Sequence, residues 1–238
     1  VHCQEECSGI PSVFHQSRPM SQKLFSIITP TYNCGTKIEK TINSVLTQAE
    51  DLFEFHIVDG ASTDETLRTI EKYGDKIKLV SEKDKGVYDA MNKGIDLASG
   101  KFLYFLGAGD SLRVDVLRKI EKLMPDEPLA FVYGNVYWMD EAMIYSGEFD
   151  KLRLKTHNIC HQAIFYERTI FDVMGKFELR FKVLADYVFN IKCFGDERIH
   201  KSYINYVIAN FEGGGLSAKQ KDFDLLSEHA QLIKDYLE

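Results

Sequence analysis

The sequence predicts an α/β fold: a mostly parallel, Rossmann-like sheet flanked by helices, leading into a second half of mixed strands and helices. Three observations carry that expectation. From residue 24 to residue 125, short apolar runs alternate four times with segments of helical periodicity, the pattern of parallel strands joined by crossover helices. After residue 126 the alternation gives way to longer β-branched and aromatic runs. The first four strands end in turns of acids, hydroxyls and glycines, and sheets of this kind bind ligands beyond the carboxyl ends of their strands.

The elements follow in order. LFSIIT (24–29) is a short β-branched strand, and residues 36–48 place Ile38, Ile42, Val45 and Leu46 at helical spacing. FEFHIV (53–58) is the second strand, followed by a helix over 63–73 with Leu67 and Ile70 on one face. IKLVS (77–81) is the third strand, and residues 87–98 form a helix with Ala90, Met91, Gly94, Ile95 and Ala98 turned inward. KFLYFL (101–106) is the fourth strand, after which Ser111 caps a helix reaching Met124. In the second half, 129–139 and 143–149 read as antiparallel strands and 160–166 as another. Helices are expected at 167–174 and 184–194, a strand at 202–211, and a final helix over 217–237 with Phe223, Leu226, Ala230 and Ile233 on its buried face.

A chain of 238 residues, 45% hydrophobic and 27% charged, has the length and composition of a globular protein. One domain is expected over residues 20–238, with a nucleotide-type half (20–125) leading into a substrate-type half (126–238). Residues 1–19 show no periodicity and read as a flexible N-terminal arm or an extra segment. A net charge of -7 argues against nucleic acid as a partner. No apolar run approaches the ~18 residues of a membrane span, and the start has no basic-then-apolar signal pattern. Five scattered cysteines, an odd number, suit a reducing cytoplasm. Cys3 and Cys7 have no second Cys or His pair at zinc-finger spacing, so no structural zinc is expected.

The strand exits carry the chemistry. They are Pro30-Thr31-Tyr32-Asn33, the run from Asp59 to Thr66, the run from Glu82 to Gly86, and Gly107-Ala108-Gly109-Asp110. Each has a plain structural reading. Ser62 or Thr63 can cap a helix whose first turn holds Asp64 and Glu65; Gly107 and Gly109 can serve only a tight turn. The functional reading is joint and rests on their shared edge. Neither GxGxxG nor GxxxxGK[ST] follows a strand, so neither dinucleotide nor P-loop binding has its usual signature. Carboxylates beside phosphates require a divalent cation between them, and Mg²⁺ and Mn²⁺ take oxygen ligands of this kind.

SIITPTYN, DGASTDET, EKDKGVYDAMNKGI and ASGKFLYFLGAGD, in that order and spacing, resemble glycosyltransferase family 2, which has the GT-A fold. The resemblance is strong over residues 24–125 and continues through HQAIFY (161–166) and LADYVF (184–189). It implies that Pro30, Thr31, Tyr32, Asn33 and Asp59 line a nucleotide pocket, with Asp84, Tyr88, Asn92 and Lys93 closing over base and ribose. Gly109 would let the diphosphate approach, and Asp110 would be the last acid of the Asp-x-Asp metal motif. Asp186 would be the general base of an inverting enzyme, with His161 and Gln162 on the acceptor side. The chain departs from the family twice: Asp59-Gly60 stands where many members have two Asp residues, and the metal motif lacks its first acid.

The implied protein is an inverting glycosyltransferase that uses Mn²⁺ or Mg²⁺ and a nucleotide-sugar donor, UDP-sugar first and GDP-sugar next. Its acceptor would be a saccharide or lipid-linked glycan, met in the cytoplasm at the inner face of the membrane by peripheral association. Two alternatives stand beside it. A nucleotidyltransferase would need a basic, glycine-rich loop after the first strand, where PTYNCGTK has only Gly35 and Lys37. A sugar-nucleotide-binding scaffold without turnover is favoured by the missing acid and opposed by the presence of Asp110 and Asp186.

Overall fold

Phe25–Thr31 (β1), Phe53–Asp59 (β2), Lys78–Ser81 (β3) and Phe102–Phe105 (β4) form the parallel part of the sheet in the computed structural model, which describes residues 22–145, 147–215 and 220–238. The expected arm at 1–19, with Cys3 and Cys7, lies outside the described residues, as does the expected start of the last helix at 217. β1 is buried at every position, as expected for a central strand covered on both faces. Helices Lys37–Leu46 (α1), Thr66–Glu71 (α2) and Val87–Leu97 (α3) connect the strands. All five residues expected to face inward from α3 are buried. A Cβ on Gly94 would stand 2.4 Å from Ile28 Cγ2, so only glycine lets α3 lie this close to β1.

The second half adds Ser111–Leu112 (β5), Ala130–Trp138 (β6), Met143–Tyr145 (β7), Ile164–Glu167 (β8) and His200–Phe211 (β9). The sheet order is β3-β2-β1-β4-β8-β6-β9-β5, with β7 on β6. β8 runs antiparallel to β4 and β6, and β7 runs antiparallel to β6 as expected but over 143–145 and not to 149, whereas β6 and β9 are parallel. The short link from β4 to β5, which contains a turn closed by Asp110 N–H on the Gly107 carbonyl (3.1 Å), joins a central strand to the far edge and curls the sheet. Helices Thr169–Met174 (α6) and Ala185–Gly195 (α7) pack through aromatic rings, Phe171 stacking on Phe189 at 5.0 Å. A helical turn, Lys151–Leu154 (α5), precedes them.

Three expectations need correction. Ser111 does not cap a helix: Ser111 and Leu112 pair with Asn210 and Ala209 of β9, and the helix Val116–Ile120 (α4) begins later, after Asp115 at φ 55°. Pairing with a distant strand overrides the local capping preference. The 160–166 strand starts late, because His161–Ala163 is a 3-10 turn before β8. The last helix is Phe223–Leu237 (α8), and it buries Leu225, Leu232, Ile233 and Leu237, leaving Phe223 and Leu226 exposed. Asp222 sets that orientation, capping Leu225 N–H (3.2 Å) while also accepting from Val183 and Leu184 N–H at 2.9 and 3.2 Å.

Candidate active site

The exits of β1 and β2 are bolted together. Asn33, at φ 44°, accepts Thr63 N–H and donates its own N–H to Ser62 Oγ, both at 2.8 Å. Asp59 is fully buried at the end of β2. Its carboxylate accepts from Ser62 N–H (2.9 Å), Ser81 Oγ–H (2.7 Å) and Thr31 Oγ–H (3.3 Å), and also from the Ser62 hydroxyl. One acid thus ties three strand exits. Asp84 accepts from Gly86 N–H (2.9 Å), and its other oxygen lies 2.5 Å from where a Cβ on Gly60 would stand. A side chain at position 60 would therefore have to displace the Asp84 carboxylate.

A cavity of about 720 Å³ opens at this edge of the sheet. Pro30, Thr31, Tyr32, Asn33, Tyr88, Asp110, His161 and Asp186 all line it. Asp59, Asp84, Asn92, Lys93 and Gly109 are outside its lining. Asn92 instead clamps the backbone of Phe177, accepting its N–H (3.0 Å) and donating to its carbonyl (2.8 Å). Lys93 bonds the Lys83 carbonyl (2.9 Å) and Glu82 (2.8 Å). Gly109, at φ +106°, gives its N–H to Thr41 Oγ (2.9 Å) and so shapes the turn that presents Asp110.

Asp110 is 6% exposed. Its carboxylate accepts Gln162 Nε2–H at 2.6 Å and Glu212 N–H at 2.9 Å. Burial pushes this carboxyl up from its ordinary value, against the two N–H groups that favour the anion. The nearby Glu212 charge pushes in the same direction as burial. Glu212 also lines the cavity, with Lys40 Nζ 2.7 Å from its carboxylate.

Asp186, in the first turn of α7, is 5% exposed. Asn158 Nδ2–H donates to its Oδ2 at 2.9 Å, and the Tyr88 hydroxyl lies 2.6 Å from Oδ1 and 2.7 Å from the Val183 carbonyl. Burial, reinforced by the Asp186 charge, pushes the Tyr88 phenol well up, so it stays a donor. Behind Asn158 the chain of bonds continues: Asn190 donates to Asn158 (2.9 Å) and the Tyr166 hydroxyl to Asn190 (2.8 Å). His161 Nδ1 is 3.9 Å from Asp186 Oδ2. The sequence reading missed Asn158, Trp138 and Glu212. Signals existed for two of them: Trp138 is the chain's one tryptophan and ends a long strand, and Glu212 stands directly before three glycines.

Among the described residues, no group of three or more His, Cys, Asp or Glu is arranged to hold a metal ion. Asp110 and Glu212, which both line the cavity, fit a hard cation that takes one or two carboxylates and fills its other positions from substrate phosphates. Among the described residues, no helix is long and apolar enough to cross a membrane.

The sheet order, with a cavity at the strand exits, is that of a GT-A glycosyltransferase, and comparison with known proteins agrees. The sequence profile of Glycosyl transferase family 2 matches residues 26–175, and the chain belongs to that family. It is 41% identical over 215 residues to a PGL/p-HBAD biosynthesis glycosyltransferase of Mycobacterium tuberculosis, covering 87% of this chain and 84% of that one. It is 27% identical over 229 residues, 92% of this chain and 88% of the other, to Escherichia coli WfgD, a UDP-Glc:alpha-D-GlcNAc-diphosphoundecaprenol beta-1,3-glucosyltransferase. In fold it resembles S. aureus TarS 1–349 in complex with UDP-GlcNAc (TM-score 0.72, 21% identity, 89% of this chain and 66% of that one). It also resembles the mannosyltransferase PcManGT of Pyrobaculum calidifontis in complex with GDP-Man and Mn²⁺ (TM-score 0.68, 18% identity, 92% and 68%).

Proposed function

We propose that this glycosyltransferase moves a sugar, with inversion, from a nucleoside-diphosphate donor to a hydroxyl of a saccharide or lipid-linked acceptor. The observation that carries the reading is the placement of two buried acids, Asp110 and Asp186, in one cavity with His161 and Gln162 beside them. The UDP-sugar preference is supported by the UDP-GlcNAc complex of TarS and the UDP-Glc donor in the WfgD name, and GDP-sugar is the next choice on the PcManGT complex. The diphosphoundecaprenol acceptor in the WfgD name supports a lipid-linked acceptor, reached by peripheral association from the cytoplasmic side.

Pro30 to Asn33 and Tyr88 would line the base and ribose. Asp59 and Asp84 would act by fixing the turns that carry them, since neither lines the cavity. Asp110, with Glu212 beside it, would hold Mn²⁺ or Mg²⁺, which offsets the charge that grows on the departing diphosphate. Asp186, oriented by Asn158 and Tyr88, would take the proton of the acceptor hydroxyl as it attacks. A single base on the face opposite the leaving group gives inversion.

The test is release of nucleoside diphosphate by the purified chain across a panel of UDP- and GDP-sugars, with and without Mn²⁺, together with the melting shift each donor produces. Metal-dependent release with a UDP-sugar supports the reading. Binding without release under every acceptor condition would favour a non-catalytic scaffold, the reading to which the missing first acid of the metal motif points.

A further inference from the structure

Two rows of side chains cross the corner of the sheet where β7, β6 and β9 run side by side. The strand register puts Tyr145, Val136 and Ala209 in one row, and Met143, Trp138 and Phe211 in the next. Residues paired across neighbouring strands share a face, as do residues two apart along a strand, so the six form one apolar ladder. Tyr145, Val136, Trp138 and Phe211 line the cavity, and the Trp138 and Phe211 rings lie 5.8 Å apart. Met143, 48% exposed, carries the second row out to the surface. The inner end is tied to the proposed base: the Tyr145 hydroxyl donates to the Asn158 carbonyl (2.7 Å), and the Asn158 side chain donates to Asp186 (2.9 Å).

The polar side of the cavity, with its acids and the glycine turn, suits a nucleotide and its diphosphate. The ladder does not. Apolar and aromatic walls in a binding site are matched by apolar ligand surface, and an aromatic face is matched in particular by another flat ring. A wholly polar acceptor would leave the row from Phe211 to Met143 facing water.

We propose, resting on the glycosyltransferase reading above, that this ladder is the acceptor subsite and that the acceptor is a glycoside whose hydroxyl-bearing ring is joined to an apolar aglycone. The ring lies on Trp138 and Phe211, with its reacting hydroxyl toward Asp186. The aglycone follows the ladder outward past Met143.

Trp138 is the chain's one tryptophan, so intrinsic fluorescence reports directly on the ladder. The purified chain is titrated with n-octyl β-D-glucopyranoside and with methyl β-D-glucopyranoside, both below micelle-forming concentration, and the octyl titration is repeated with Met143→Asp. The expected result is a saturable change with the octyl glucoside, with affinity at least ~10-fold lower for the methyl glucoside and for the variant. Equal responses to the two glucosides, no response to either, or unchanged octyl binding by Met143→Asp would each overturn the proposal. UDP binding by the wild-type chain is measured by calorimetry in parallel. Its absence would count against the transferase reading while leaving the ladder result to be judged separately.

Discussion

Replacing Asp186 by asparagine keeps the shape of the side chain and removes both its charge and half of its accepting capacity. The carboxylate now receives one hydrogen bond from Asn158 at 2.9 Å, and the Tyr88 hydroxyl sits 2.6 Å from its other oxygen. The amide oxygen can still accept from Asn158, whose own oxygen is held by Asn190, while the new NH₂ donates to the Tyr88 hydroxyl, whose proton then goes to the Val183 carbonyl 2.7 Å away. Both contacts are kept without the charge that strengthens them, so the fold should persist with only a small fall in melting temperature. The effect on turnover is separate. Loss of a general base typically removes 10²-fold or more from kcat, about 2.7 kcal/mol in the barrier. On the proposed reading Asp186 serves the acceptor and not the donor, so donor KM should change little. Nucleoside diphosphate release, measured at saturating donor with and without acceptor, reads this directly. Transfer at the wild-type rate by Asp186→Asn would refute the one-base scheme and make His161 the next candidate.

Other outcomes follow from the same geometry. Asp110→Asn should abolish Mn²⁺-dependent UDP binding in calorimetry while circular dichroism shows an intact fold; unchanged binding would remove Asp110 from the metal site. Asp59→Ala should lower both UDP affinity and thermal stability by about 1–3 kcal/mol each, because its carboxylate ties three strand exits; lost stability with intact affinity would leave it a purely structural residue. Gly60→Ala should destabilise by about 1–3 kcal/mol through crowding, and a companion Asp84→Ala should relieve most of that in a double-mutant cycle. Burial pushes the Glu54 carboxyl up, but contacts from His56, Lys78, Ser26 and Ser99 outweigh it and hold it well below the usual range. A depressed value gives stability that is present above the unfolded value of 4.5 and lost as pH falls through the folded one. Glu54→Gln should therefore be less stable at pH 7 by about 3 kcal/mol, and its melting temperature should vary less than the wild type's on acidification below that value.

The strands of the first half were legible because each is a short β-branched or aromatic run closed by turn residues, and local pattern suffices for a buried parallel strand. β5 was not legible, since two residues become a strand only when β9 arrives beside them from 97 to 99 positions away. The last helix defeated the pattern for a different reason. Phe223, Leu226, Ala230 and Ile233 fit a helical stripe as well as Leu225, Leu232 and Leu237 do, and the choice fell to Asp222, which is pinned by Val183 and Leu184. Asp110 stood out as the acid closing a glycine turn at a strand exit, Asp186 and His161 were reached through the family resemblance, and the cavity brings all three together. Asn158 and Trp138 escaped because order along the chain does not say which ends of the second-half strands meet. The bracing of Asp59 escaped because its partners, Thr31, Ser62 and Ser81, come from the exits of three different strands.

The turn carrying Asp110 has a bearing on how such chains can be recombined. Thr41 from α1 binds the Asp110 carbonyl at 2.7 Å, Gln162 and Glu212 bind its carboxylate, and Ser111 next to it pairs into β9. The acid belongs by sequence to the first half, yet its orientation is set by positions 162 and 212 in the second. The boundary near residue 126 is thus a poor place for splicing. A hybrid that joins residues 20–125 of this chain to the remainder of a relative should keep Asp110 oriented only if the incoming segment brings an amide donor at 162 and a backbone that delivers the N–H of 212. Exchange of acceptor preference between family members is better attempted by regrafting the β6–β7 hairpin, which leaves those two holds in place.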